Sequence, residues 1–319
     1  MASRLALDDK GILGLMRLAL EGIDPMPLRA AMCAHIPTVA NGETIRILGA
    51  VPGMREWIGP RTAKGLRTDS ITVSLKKYET TVDVDAADLF YDKTGQVQEA
   101  LGDLAKRAEE KWLGLIMDMV LYSIDDTKGT CISGQYLVDT DHVIGGSGTI
   151  NNDLTSSEVG ALNVGTANDW TADEAAKAII GMINYMATFK DDQGEPCNES
   201  ARDFLVLTPM NLYGAAKQAV SQNMLNTGAG TYDNPLKAFD WNIDVTGSPR
   251  LTDDDFFWVV RKDSRAKPLV SMARGGDDYM LKGTTSDYYF DNDAVQAGVK
   301  AERGMAYGDP RAIAGGLLS

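Results

Sequence analysis

Apolar and polar side chains alternate along residues 71–75 (ITVSL) and again along 78–84 (YETTVDV). A period of two places successive side chains on opposite faces of a strand. Residues 43–48 (ETIRIL) form a matching run, and the runs together predict the arms of a long hairpin. The period then changes. From about residue 94 to 124, apolar or small residues recur at Val97, Leu101, Leu104, Ala108, Trp112, Leu115, Ile116 and Met119. Steps of three and four predict a helix, with Thr94 placed to cap it and a length of about 45 Å at 1.5 Å per residue. Helices of three or four turns are usual, so one this long reads as a structural spine.

Other elements follow from the same reading. A shorter amphipathic helix is predicted over 11–34, broken near Pro25 and Pro27. Residues 125–165 are polar and glycine-rich and read as loops with short strands. Residues 171–189 predict a helix with Thr171 as N-cap, Glu174 completing a capping box, and Ile179, Ile180, Ile183 and Met186 on its buried side. FLVL at 204–207 reads as a buried strand, and Thr208 and Pro209 as N-cap and first residue of a helix to about Ser221. Residues 222–241 read as a polar, mobile connection. Strands are then predicted at 242–246, 256–261, 268–273, 287–290 and 294–304. Helices segregated from a late run of strands indicate an α+β fold.

Between the hairpin arms lies VPGMREWIGPRTAKGLRTDS, residues 51–70. Pro52, Gly53, Gly59, Pro60 and Gly65 exclude a helix, and the segment is too polar for a core strand. Ordinary hairpin loops have about 2–5 residues, and a connection of about 20 between regular arms is usually functional. It carries Trp57 and the cations Arg55, Arg61, Lys64 and Arg67. The chain as a whole has a net charge of -14, yet residues 41–80 are net +3 and residues 81–319 net -17. A basic segment on an acidic body is self-complementary between copies. A solvated loop of ordinary charge is the plainer reading of the same numbers.

The 319 residues are 44% hydrophobic and 24% charged, as in ordinary globular proteins. The net acidity argues against a free nucleic-acid binder. No run of about 18 apolar residues offers a membrane span, and the N-terminus is too interrupted by charge for a secretory signal. The protein is therefore expected in the cytoplasm or in an assembly formed there. Cys33, Cys131 and Cys197 have no disulfide or zinc spacing, and His35 and His142 are the two histidines.

Candidate chemistry is sparse. DTDH (139–142) offers two carboxylates and an imidazole, but no second cluster completes a metal site, and a loop turn is the commoner meaning. Cys131 and His142 form a conceivable nucleophile and base, without a nucleophile elbow. A cysteine or metal-dependent hydrolase using Cys131, Asp139, Asp141 and His142 is the enzymatic alternative. Asp253, Asp254 and Asp255 read as a turn or as an acidic surface for a basic partner. DKTGQ (92–96), GGSG (145–148) and GAG (228–230) lack the remaining residues of calcium or phosphate loops. Phe256, Phe257, Trp258, Tyr288, Tyr289 and Phe290 read as core. No cofactor is expected, and no catalytic residue is assigned.

The order of elements resembles the Hong Kong 97-type capsid fold of tailed phages. More narrowly, the chain resembles the major head subunits of Mu-like phages and prophages. REWIGPR (55–61), KKYETTVDV (76–84), VDTDH (138–142), WVVRKDSRAKPLV (258–270) and ERGMAYGDPRAIAGG (302–316) carry the resemblance. It implies an N-terminal arm (1–40), an extended hairpin loop with its root strands (41–84) and a peripheral domain with a spine helix (85–150). A mainly axial domain (151–285) and a return to the peripheral domain (286–319) would follow. The implied function is a structural major capsid protein, not an enzyme, that self-assembles into an icosahedral shell around phage double-stranded DNA.

The implied partners are sister copies in hexamers and pentamers, a separate scaffolding protein, a maturation protease, a portal protein and DNA bound without sequence specificity. The place is the virion capsid, assembled in the host bacterial cytoplasm, with no membrane. An encapsulin-like nanocompartment shell is the alternative within the same fold. In this reading Arg55, Trp57, Arg61, Lys64 and Arg67 contact a neighbouring subunit, with Trp57 as apolar anchor and the Asp253–Asp255 cluster as acidic receiver. Packing of Trp57 at the hairpin root of its own subunit is the alternative. Lys64 also lies where some relatives place a crosslinking lysine, though no partner asparagine is identified.

Overall fold

The computed structural model describes residues 27–319 apart from 52, 53, 55, 58, 60–64, 92–94 and 227–229. The first described element is a short helix, α1 (Pro27–Met32), followed by strands β1 (Cys33–Thr38), β2 (Gly42–Leu48), β3 (Thr68–Ser74) and β4 (Lys76–Asp85). Helices α2 (Ala86–Tyr91) and α3 (Gln96–Leu121) come next. The glycine-rich region holds three short strands, β5 (His142–Val143), β6 (Thr149–Ile150) and β7 (Asp153–Leu154). Then come α4 (Ala172–Met186), β8 (Asp203–Thr208), α5 (Met210–Ser221), β9 (Met224–Asn226), β10 (Thr231–Asp233) and β11 (Asn242–Gly247). The chain ends through β12 (Phe256–Arg261), β13 (Leu269–Arg274), β14 (Asp278–Lys282), α6 (Asp287–Asn292), β15 (Ala294–Tyr307) and β16 (Ile313–Leu317).

Two five-stranded sheets carry the architecture. In the first, the 14-residue β15 is central. β4 runs antiparallel along one edge, from Asp85 opposite Ala294 to Lys76 opposite Arg303. β14 and β13 share the other edge, and β1 lies outside β13, parallel to it. The second sheet has the order β11-β8-β12-β16-β7. The chain crosses between the sheets repeatedly: β12 and β16 belong to the second, β13 to β15 to the first.

α3 joins the two. Its first half packs Leu101, Leu104 and Ala108 on Val295, Ala297 and Val299 of the first sheet. Its second half packs Ile116, Met117 and Val120 with Leu207, Trp258 and Val260 of the second. At 26 residues it is about 39 Å long, long enough to serve both cores, so the length read from periodicity has a packing cause. α4 and α5 cover the opposite face of the second sheet, placing Ile179, Met182, Leu212 and Ala216 on Val206, Phe257 and Val259. The α4 capping box forms as predicted: the Thr171 hydroxyl accepts from Glu174 N–H, and the Glu174 carboxylate accepts from Thr171 N–H at 2.8 Å.

One buried cation pins α3 to the first sheet. Arg303 of β15 is 2% exposed. It makes two 2.8 Å bonds to Asp277, donates to the Ala108 carbonyl and lies 4.9 Å from the Trp112 ring centroid. The carboxylate and the ring face replace the water that burial removes from the guanidinium.

Several expectations are corrected. The helix expected over 11–34 is described only from Pro27, since 11–26 lie outside the described residues, and it ends at Met32; Cys33 and Ala34 instead open β1, which pairs with β13 236 residues away, a partner that local pattern does not reveal. Thr94 lies outside the described residues; α3 starts at Gln96, with Gly95 in its cap at φ 78°, a conformation that suits glycine. Thr208 ends β8, opposite Gly247, so Pro209 and not Thr208 occupies the N-cap of α5. Residues 287–290 are not a strand but the start of α6, where the Ser286 hydroxyl accepts from Tyr289 N–H. The aromatic core reading holds for Phe256, Phe257 and Trp258, whereas Tyr288 and Tyr289 are half-buried and Phe290 is 90% exposed. Among the described residues of 222–241, Leu225 and Leu236 enter the core, and Asn234 Nδ2 donates to the carbonyls of Ala219 and Gln222, each at 2.6 Å. No helix among the described residues is long and apolar enough to cross a membrane.

Candidate assembly interface

The hairpin has the predicted arms. β2 and β3 pair antiparallel from Gly42 opposite Ser74 to Leu48 opposite Thr68. The alternation makes the ribbon two-faced. Ile45, Ile47, Ile71 and Val73 line one side and pack on Val270 and Met272 of β13. Thr44 and Thr72 meet on the other at 3.1 Å, exposed. The ribbon is thus held in cis along its strands. The physical reason is the apolar face, which leaves water by lying on Val270 and Met272.

Beyond Gly49 N–H, which donates to the Arg67 carbonyl at 2.8 Å, the ladder ends. From there the described apolar side chains face outward: Val51, Met54, Trp57 and Leu66 are exposed, Trp57 by 72%. The Trp57 indole N–H donates to the Gly59 carbonyl at 2.7 Å, and Gly59 has φ +80°. Trp57 therefore does not pack at the root of its own hairpin. Arg67 reaches Asp69 with its Nε at 2.9 Å from both carboxylate oxygens, a pairing within the same subunit. Arg55, Arg61 and Lys64 lie outside the described residues.

Asp253, Asp254 and Asp255 form the turn into β12. The turn's backbone is used: the Asp254 carbonyl accepts from Asn211 Nδ2 at 2.7 Å, and the Asp255 carbonyl accepts from Leu318 N–H at 2.9 Å. Asp254 and Asp255 are exposed. Asp253 is half-buried, and burial, then the two neighbouring carboxylates, push its carboxyl above the usual range. The cluster is an acidic corner at one end of the second sheet.

The structure brings Cys131 and His142 together but leaves the two aspartates apart. Cys131 Sγ lies 3.8 Å from His142 Nδ1. Ser133 Oγ is nearer, at 2.7 Å. Asn152 fixes the imidazole. Its Nδ2 donates to the carbonyls of Leu137, Pro310 and Ile313 at 2.9, 2.9 and 3.1 Å. Its Oδ1 therefore accepts, from Asp139 N–H at 2.8 Å and from His142 Nε2 at 3.0 Å. The imidazole proton is on Nε2, and Nδ1 accepts the Ser133 hydroxyl. The Cys131 thiol donates to the Tyr136 carbonyl at 3.2 Å. Burial pushes that thiol up and the imidazole down, so both are neutral near pH 7. A reactive cysteine needs the thiolate, which this environment disfavours. Asp139 turns back on Thr140 N–H at 2.6 Å, and Asp141 accepts from Gln135 at 2.7 Å. Among the described residues no group of three or more His, Cys, Asp or Glu could hold a metal.

Two residues escaped sequence reasoning. Asn152 is the hub of the His142 network, yet NND reads as an ordinary turn. Asp192 accepts a hydrogen bond from Ala50 at the loop end of the hairpin, and nothing in its own neighbourhood, KDDQGE, marks it. The closely spaced glycines of the two facing segments, at 49 and at 145–146, are the one signal available.

Comparison with known proteins agrees with this architecture. Residues 19–171 match the profile of the family described as Mu-like prophage major head subunit gpT. Over 150 residues the chain is 26% identical to the Mu-like prophage FluMu major head subunit of Haemophilus influenzae, covering 46% of this chain. The match covers 48% of that protein, so the chain spans about half the length of this curated relative. The procapsid of bacteriophage JBD30 is similar with a TM-score of 0.53 at 15% identity, over 97% of this chain and 73% of that one. The virus-like particle from Pyrococcus furiosus gives 0.52 at 12%, over 96% and 97%. At such identities the likeness is one of fold. Residues 19–171 are thus similar in sequence to the Mu-like major head subunits, and the chain has the fold of phage capsid proteins.

Proposed function

We propose that this protein is the major head subunit of a Mu-like phage or prophage, a structural protein that self-assembles into an icosahedral shell around double-stranded DNA. The observation that carries the reading is the hairpin tip. A chain with a capsid fold presents Val51, Met54, Trp57 and Leu66 to solvent beyond a ribbon anchored to its own body. Aromatic and arginine side chains dominate interface energetics, and the loop sequence supplies both. Trp57 is the anchor, Arg55, Arg61 and Lys64 supply positive charge, and Arg67 shapes the loop through Asp69. The acidic corner at Asp253, Asp254 and Asp255 is the receiving surface on the next subunit. An exposed ion pair contributes at most about 1 kcal/mol, so the apolar anchor carries more of each contact than the charges.

In this reading the first sheet with α3 forms the peripheral domain and the second sheet with α4 and α5 the axial domain. Hexamers and pentamers of the subunit close the shell in the host cytoplasm with a scaffolding protein, a maturation protease and a portal protein. The Cys131–His142–Asn152 group is structural. The likeness to the virus-like particle from Pyrococcus furiosus supports a second reading with the same fold, a compartment without DNA. Electron microscopy of the purified protein, expressed with and without its neighbouring phage genes, tests both. Closed shells that take up DNA when the packaging genes are present are expected. Shells that enclose a protein cargo and never DNA favour the compartment. A stable small oligomer under every condition overturns both.

A further inference from the structure

The far end of the hairpin meets a carboxylate that the interface described above does not use. Asp192 lies in a turn after α4, 7% exposed. The preceding Asp191 builds that turn, its Oδ1 accepting from Gln193 N–H at 2.8 Å and Glu195 N–H at 3.0 Å. Asp192 faces the hairpin instead. Its Oδ1 accepts from Ala50 N–H at 2.7 Å, one residue past the last cross-strand bond. Its own carbonyl accepts from Gly146 N–H at 2.8 Å.

Three glycines make this approach possible. A Cβ at Gly49 would run into Asp192 Oδ2, and one at Gly145 or Gly146 would lie 2.9 Å from the Asp192 Cβ or carbonyl oxygen. At Gly145 and Gly146 the Asp192 backbone stands where a Cβ would go, and at Gly49 the obstacle is the Asp192 carboxylate that accepts from Ala50, so a Cβ there would displace the contact itself. Gly145 also has φ +60°. The hairpin, the 143–148 loop and the 190–196 turn therefore converge on one carboxylate with no spare room.

The mechanical consequence follows from the ribbon. An isolated two-stranded hairpin is at best marginally stable, and seven residues at about 3.4 Å make a lever of roughly 24 Å. Packing on Val270 and Met272 restrains the ribbon from below. The bond to Ala50 restrains it at the point where the loop departs. We propose that Asp192 is a positioning residue: it clasps the loop end of the hairpin in cis and sets the direction in which the Trp57 loop is presented to a neighbouring subunit. This role rests on the shell reading for its purpose, but not for its geometry.

The test uses the full chain. In the unassembled subunit, hydrogen exchange at the Ala50 amide reads the clasp directly, and trypsin cleavage at Arg55, Arg61 and Lys64 reads the loop. Asp192→Ala is expected to accelerate exchange at Ala50 about tenfold or more, the effect of losing one charge-assisted bond. Asp192→Asn keeps an acceptor oxygen and is expected to restore most of the protection. Gly49→Ala breaks the same contact from the hairpin side and serves if Asp192→Ala does not fold. Particle formation is the second readout: subunits with a released loop form fewer or irregular shells while amides in α4 and β12 stay protected. Unchanged Ala50 exchange in both Asp192→Ala and Gly49→Ala overturns the clasp, and faster Ala50 exchange with shells of normal yield and size overturns its role in presenting the loop. If the unaltered protein forms no shell, the shell reading fails, while Ala50 exchange still decides the clasp.

Discussion

At the scale of single residues, two buried polar groups decide most. Arg303 replaces its lost hydration with Asp277, the Ala108 carbonyl and the Trp112 ring face. Arg303→Ala strands the Asp277 carboxylate and is expected to cost about 3 kcal/mol or more in urea unfolding of the subunit. Asn152 satisfies three carbonyls and orients His142. Asn152→Ala is expected to cost about 2–3 kcal/mol by the same measurement, because acceptors and the imidazole N–H lose a partner without reaching water. His142 also sets a pH dependence. Burial holds its folded pKa below the ordinary 6.5, so the unfolded chain takes up the proton first. The stability tied to the neutral imidazole is present above pH 6.5 and is lost as the pH falls from there through the folded pKa. Urea midpoints of the protein and of His142→Gln are expected to diverge above pH 6.5 and to converge below it. Parallel curves would show that His142 does not titrate in this way. Nothing in KGTCISG or VDTDH revealed this network, because its hub lies on the far side of a turn and its acceptors near the C-terminus.

At the scale of elements, local pattern served well where an element has one clear apolar face. The hairpin arms, α3 and the capped α4 were legible because their periodicity and their packing agree. β1 and α6 were not: six residues are too few for a period, and the pairing of β1 with β13 and the Ser286 cap decided them. β16 shows how tightly one element is fitted. A Cβ at Gly315 would meet the Phe256 ring at 2.5 Å and Val138 Cγ1 at 2.9 Å. Gly315→Ala is therefore expected to destabilise the second sheet by about 1–3 kcal/mol in thermal or urea unfolding, by overpacking. Thr171→Ala, which removes the hydroxyl of the capping box, is expected to cost about 1 kcal/mol.

At the scale of the whole molecule, α3 makes the two sheets share one frame, and the hairpin loop stands outside it. Trp57→Ser is therefore expected to leave the unfolding midpoint of the free subunit within about 0.5 kcal/mol, as surface substitutions do. On the shell reading it reduces particle yield severalfold, measured by sedimentation and electron microscopy. A large loss of subunit stability instead would place Trp57 inside its own fold.

The sequence by itself determined the class of fold, the long helix α3, the hairpin arms and the basic loop between them, because each rests on local periodicity or on composition within one segment. The tertiary structure alone decided where the ribbon lies. It laid the ribbon against Val270, Met272 and Asp192 of its own chain. It also joined Cys131, Ser133, His142 and Asn152 into one neutral network. The first depends on contacts such as Ala50 with Asp192, 142 positions apart, and the second on the Ile313 carbonyl, 161 positions from Asn152. Such contacts form when burial brings segments together, and they leave no period in the chain to read.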